Sequence, residues 1–242
     1  MSNAENVASK PDRLASLDQF RGYTVMGMFL VNFVGSYAAI AAFLPTLKHW
    51  NTHCSYADTI MPQFLFAVGF GFRMSYLKRL EKDGASLANW RVVRRILGLL
   101  LVAFIVHHLD GKYANYESLE KIGFWGLIQS AFQRDYFQTL AHIGLTSLWV
   151  VPVIGCGPLV RTIFAIGSCV LFVWLSSSWY YEWELERPGI DGGPLGFLTW
   201  TAPLIMGTLA FDIWQSQLKA KVLTIFSIGS IVMLIAATIE LC

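Results

Sequence analysis

Apolar stretches of bilayer-spanning length follow one another through this chain, and they leave it few folds to choose from. A transmembrane α-helix needs about 20 predominantly apolar residues, and the sequence offers seven candidates. They run from Gly22 to Leu44, Ala57 to Leu77, Val92 to His107, Tyr136 to Ile154, Leu159 to Ser177, Leu195 to Trp214 and Val222 to Ile239. Helices that cross hydrocarbon pair their backbone groups within the segment, so runs of this kind read as helices rather than strands. Charge agrees, because only 14% of the 242 residues are charged, against about 25% in a soluble domain. The expected fold is an all-α integral membrane protein, a single domain over residues 1–242 built as a bundle of about seven transmembrane helices. The third candidate is short and needs Arg94 and Arg95 to snorkel to the interface. The segment Ile122 to Phe132 is too short to cross and reads as interfacial or re-entrant.

The distribution of charge sets an orientation. Between the second and third candidates lie Arg73, Lys78, Arg79, Lys82, Arg91, Arg94 and Arg95, opposed only by Glu81 and Asp83. An excess of basic residues marks a cytoplasmic connection. Alternation then places Lys10, Arg13 and Arg21 inside and the segments 108–135 and 178–194 outside. The second of these carries Glu182, Glu184, Glu186 and Asp191 against Arg187 alone. The N-terminus is expected in the cytoplasm and Cys242 outside. Residues 1–12 form a polar cytoplasmic segment, and residues 1–10 lack the apolar core of a signal peptide. A net charge of +2 says nothing about nucleic acid, because the basic residues are concentrated in one connection, and no nucleic-acid partner is expected. The four cysteines form no CxxC pair, so neither a disulfide framework nor a metal site is expected.

Ionisable groups beside hydrocarbon are costly and point to a site. His49 and Asp58 flank the stretch LKHWNTHCSYAD at the outer end of the first helical pair. A carboxylate beside a histidine fixes the tautomer of the ring and suits it to general-base or nucleophilic work near neutral pH. The plainer alternative is an exposed histidine with no task, and His53 is a neighbour or substrate contact. Asp18 and Arg21 are three apart on one helix face at the cytoplasmic mouth. They form either a membrane anchor or an anion site. Asn32, midway along the first candidate, either bonds a neighbouring helix or orients a reacting carbonyl. His142 is expected to pack between helices, Gly69 and Gly71 to allow close helix approach, and Pro203 to kink its helix. Trp179, Tyr180, Tyr181 and Trp183 fit an aromatic belt, with a sugar-stacking platform as the alternative.

Taken together, RLASLDQFRGYTVMGMFLVN, then LKH, then ADTIMPQFLFAVG resembles the heparan-α-glucosaminide N-acetyltransferase family and its bacterial relatives. The matching residues are Arg13, Ser16, Asp18, Arg21, Gly22, Asn32, His49, Asp58, Pro62, Phe64, Phe66 and Gly69, with weaker similarity over GPLGFLTWTAPLIMGTLAFD. Residues 13–80 carry nearly all of this signal. The resemblance implies an enzyme that takes an acetyl group from cytosolic acetyl-CoA and delivers it to an amino sugar or glycan across the bilayer. It implies His49 as the essential histidine with Asp58 as its partner, Asn32 at the thioester carbonyl, and Arg21 with Asp18 at the CoA phosphates. His53 is the alternative histidine. The expected setting is a bacterial inner membrane, and the alternatives are O-acetylation of an exported polysaccharide, an inactive scaffold or transporter-like relative, and a homo-oligomer that completes its site in trans.

Overall fold

The computed structural model describes residues 15–34, 37, 43–49, 54–108, 117, 120, 121, 123–126, 137–186 and 192–216. Among these the chain is helical, with turns and no strand, as the long apolar runs lead one to expect. Its contacts group into two compact units, Met1–Ala67 and Val68–Cys242.

The first unit opens with α1, Ala15–Phe29, which continues as a π-helical turn over Leu30–Val34. Helix α1 begins seven residues before the expected Gly22, because the polar residues ahead of the apolar run are themselves helical. Leu17, Thr24, Gly27 and Val31 are buried and lie on one stripe of the helix. The Thr24 hydroxyl donates to the Arg21 carbonyl at 2.9 Å, which satisfies it inside the core. Gly27 is needed for close approach: a Cβ there would stand 3.0 Å from the Tyr56 hydroxyl and 3.3 Å from Ile60. A 3-10 turn, Pro45–Leu47, seats Leu47 in a core of Val31, Ala57 and Ile60, with Met28 and Tyr56 packed against it. The outward face of α1 carries Val25, Met26, Phe29 and Phe33, all exposed.

Helix α2, Tyr56–His108, contains the second and third expected spans as two arms of one helix bent at Gly84. Gly84 has φ 78° and ψ 168°, a conformation that glycine adopts without the steric penalty of a Cβ. The basic connection, expected as a loop, is helical on both sides of that bend.

The second unit adds to the later part of α2 the helices α3, Thr139–Val150, and α4, Pro158–Leu175. A π turn over Ser176–Tyr180 carries α4 into α5, Tyr181–Glu186, so the expected outer loop is helical as far as Glu186. After a 3-10 turn at Gly193–Leu195 comes α6, Phe197–Gln215, which continues across Pro203. Helix α6 packs against both α3 and α4. Trp149 Nε1 of α3 donates to Ser168 Oγ of α4 at 3.1 Å, and Ser168 Oγ donates to the Leu198 carbonyl of α6 at 2.9 Å. At the other end of α4, the Tyr180 hydroxyl donates to the Gly192 carbonyl at 2.7 Å and accepts the Leu195 N–H at 3.1 Å. Tyr180 is therefore core, stacked on Trp183 with ring centroids 5.6 Å apart, while Trp179 and Tyr181 remain exposed.

Helix α4 has its burial inverted. It buries Arg161, Ala165 and Ser168, and exposes Leu159, Val160, Ile163, Ile166, Val170 and Val173. Water would favour the opposite arrangement. Among the described residues, two stretches, Pro158–Leu185 and Gly193–Gln215, are long and apolar enough to cross a membrane. The expected seventh helix, Val222–Ile239, and most of Ile122–Phe132 lie outside the described residues.

Candidate functional site

Asp58 sits in the first turn of α2, and the start of that helix explains why a carboxylate is there. Ser55, immediately before the helix, is followed three residues later by Asp58, the spacing of a capping box. Asp58 Oδ2 accepts the Ser55 backbone N–H at 2.8 Å, and Asp58 N donates to the Ser55 carbonyl at 3.1 Å. The Ser55 hydroxyl is 3.0 Å from the same Oδ2 and 2.8 Å from the Lys48 carbonyl. The cap thereby also fastens the residue preceding His49.

With Oδ2 occupied by the helix cap, Oδ1 is directed at the imidazole. His49 Nδ1 lies 2.7 Å from Asp58 Oδ1, and the histidine side chain is 62% exposed. A carboxylate accepts only, so Nδ1 is the protonated nitrogen and Nε2 is the one available for proton transfer or nucleophilic attack. The structure therefore brings together the two residues that the sequence places at either end of this loop. Ser55 did not stand out in the sequence, although S-x-x-D before an apolar run is a recognisable helix-start signal. His53 lies outside the described residues.

Arg21 is on α1, half-buried, and its Nη2 donates to the Ala67 carbonyl at 3.4 Å. Among the described residues this long bond is its only side-chain hydrogen bond, so most of its five donors remain for an anion. Asp18, half-buried, occupies the first turn of the same helix. Asn32 falls in the π-helical turn and is exposed. Such turns widen the backbone by one residue and recur at functional positions. Asn32 makes no hydrogen bond among the described residues.

In the second unit a different constellation emerges, which pattern reading did not anticipate. Arg161 of α4, fully buried, pairs through Nη2 with Asp212 Oδ2 of α6, and its Nη1 donates to Thr208 Oγ1 at 2.6 Å. Arg73 of α2 donates from Nε to Asp212 Oδ1 at 3.0 Å and from Nη1 to the Ile154 carbonyl. One carboxylate thus bridges two arginines and ties α2, α4 and α6 together. No sequence spacing signals this cluster, because its members are 139 and 51 residues apart. His142 is buried within α3, in keeping with a packing role. Gly69 faces the α6 backbone so closely that a Cβ would lie 1.9 Å from the Leu204 carbonyl oxygen.

A family model described as heparan-alpha-glucosaminide N-acetyltransferase, catalytic, matches residues 13–190, nearly three-quarters of the chain. The chain belongs to this family. The match covers α1, the His49–Asp58 pair, the whole of α2 and the helices through α5. The heparan-alpha-glucosaminide N-acetyltransferase family is one of membrane-associated acetyltransferases that in general use acetyl-CoA as donor. No curated protein and no solved structure is similar enough to count as a match. Among the described residues there is no group of three or more His, Cys, Asp or Glu side chains that could hold a metal ion.

Proposed function

We propose that this protein is a multi-pass membrane acetyltransferase, moving the acetyl group of cytosolic acetyl-CoA to an amino sugar or related glycan on the far side. The observation that carries the reading is the His49–Asp58 contact of 2.7 Å within the family-matched segment. A histidine oriented by a carboxylate is what an acyl transfer to an amine requires. The acceptor amine attacks the thioester carbonyl and its proton passes to His49 Nε2. The C–S bond breaks, and the departing CoA thiolate takes a proton back from the imidazolium. Asp58 holds the ring so that Nε2 is the basic nitrogen. Arg21, with spare guanidinium donors, would hold a CoA phosphate beside Asp18, and the exposed amide of Asn32 would bond the thioester carbonyl.

The outward-facing Val25, Met26 and Phe29 of α1, and the leucines, isoleucines and valines of α4, support a lipid environment. An N-terminus in the cytoplasm and seven spans in one domain follow from the charge distribution and the apolar runs. The test is a pair of assays on the protein purified in detergent. Acetyl-CoA should bind saturably to the wild type and more weakly to Arg21→Ala and Asn32→Ala. Glucosamine should be acetylated by wild type and not by a folded His49→Ala. Full transfer by His49→Ala removes the catalytic assignment. A folded wild type that binds no acetyl-CoA favours an inactive relative, and acetylation of glycan hydroxyls alone favours polysaccharide O-acetylation.

A further inference from the structure

The bend of α2 at Gly84 creates a feature that acetyl transfer does not use. Its two arms pack together: the Tyr76 hydroxyl donates to Asn89 Oδ1 at 3.0 Å, and Ala88 is fully buried. That packing brings Arg79, on the first arm, to Arg91, Arg94 and Arg95 on the second. The four arginines alone line an open surface cleft of about 350 Å³. Arg91 is paired with Asp83. Among the described residues Arg79, Arg94 and Arg95 have no carboxylate partner.

Four guanidinium groups around one space repel each other unless an anion lies between them. A cleft with arginine walls and a single carboxylate at its margin has the chemistry of a phosphate site. Planar guanidinium forks bind phosphate oxygens in pairs. The surroundings add a second clue. On the same arm Leu97, Leu101, Val102, Ile105 and Val106 are exposed, beginning within one turn of Arg94 and Arg95. The arginines therefore stand at the edge of an apolar surface, the level at which lipid headgroups lie.

We propose that the arginine-lined cleft at the Gly84 bend is a binding site for a phosphate group, carried either by an anionic lipid headgroup or by a soluble phosphate compound. The proposal is independent of the acetyltransferase reading, since it uses none of His49, Asp58, Asn32 or Arg21. It also gives the bend a purpose: without a glycine at positive φ the arms do not fold back, and Arg79 is separated from the other three.

Two arms of one experiment separate the sources. The full chain in phosphatidylcholine nanodiscs is titrated with inorganic pyrophosphate by calorimetry. In parallel, nanodiscs containing phosphatidylglycerol are examined by native mass spectrometry for lipid retained on the protein. The comparison variant is R94Q/R95Q, whose altered positions are exposed. Binding in at least one arm should be about twenty-five-fold weaker in the variant, because each basic residue near a phosphate surface contributes roughly a five-fold factor. Binding of pyrophosphate alone assigns the site to a soluble phosphate compound, and retention of phosphatidylglycerol alone assigns it to a headgroup. Rising salt must weaken wild-type binding, a readout that stands even if the variant fails to fold. No binding in either arm, equal binding by R94Q/R95Q, or indifference to salt overturns the proposal.

Discussion

The approach of α2 to α6 at Gly69 gives a prediction whose size can be worked from the geometry. In Gly69→Ala the new Cβ would stand 1.9 Å from the Leu204 carbonyl oxygen, 2.8 Å from its carbonyl carbon and 3.1 Å from its Cα. The obstruction is backbone, so no side-chain rotation relieves it. Contacts of this kind essentially never fall below 3.0 Å, so the two helices must part by about 1.1 Å along that vector. Leu204 and Ile205 are 0% and 1% exposed, and separating helices there opens packing on both sides. One surplus methylene in a well-packed core costs about 1–3 kcal/mol; a clash against rigid backbone belongs at or beyond the upper end. Gly98→Ala is the internal control, with nothing within 4 Å of its Cβ. It should be neutral or stabilising by roughly 0.5–1 kcal/mol, the ordinary gain on replacing a mid-helix glycine. The assay is equilibrium unfolding in mixed micelles, following tryptophan fluorescence for both variants and the wild type. If Gly69→Ala unfolds within about 0.5 kcal/mol of wild type, the close contact does not exist in solution and the reasoning fails.

Two further predictions concern the charged groups. Asp212→Asn leaves Arg161 and Arg73 without their shared carboxylate and should destabilise the fold by about 3–5 kcal/mol, the usual result of stranding a buried charge. A loss below about 1 kcal/mol in detergent unfolding would show the pairs to be no more than surface bridges. Asp58→Asn keeps an oxygen for the Ser55 N–H but can present an amide N–H to His49 Nδ1, which forces the proton to Nε2. Transfer rate should fall about 10²–10⁴-fold with acetyl-CoA affinity unchanged, the range lost with a general base; an equal loss of affinity would instead mark Asp58 as a structural cap.

What was legible in the sequence depended on how local each signal is. The helices announced themselves because an apolar run reports its own environment, and those at Tyr56, Pro158 and Phe197 begin within two residues of their expected starts. The His49–Asp58 pair was legible for the same reason, its partners being nine residues apart across a loop that a capping box closes. The helical connection around Gly84 was missed because basic, polar residues such as Lys78, Arg79, Glu81 and Lys82 read as a loop, although each of them favours helix. Nothing local could join Arg73 to Asp212. Only packing brings those positions together, so an isolated arginine in an apolar stretch reads as an anomaly until its partner is placed.

The Arg73–Asp212–Arg161 bridge has a consequence for how such a chain can be made. Arg161 is synthesised 51 residues before Asp212, and Arg73 139 residues before it. Until α6 exists, Arg161 in the first turn of α4 has no counter-charge, and a long basic side chain near the end of a span reaches for the interface. On a membrane reading, α4 therefore waits with Arg161 at the interface while the ribosome extends the chain. The arrival of α6 supplies the carboxylate that lets both arginines settle. Assembly then proceeds against the order of synthesis: a late helix licenses the final seating of two earlier ones, and a nascent chain cut short before Asp212 leaves both arginines without their shared carboxylate.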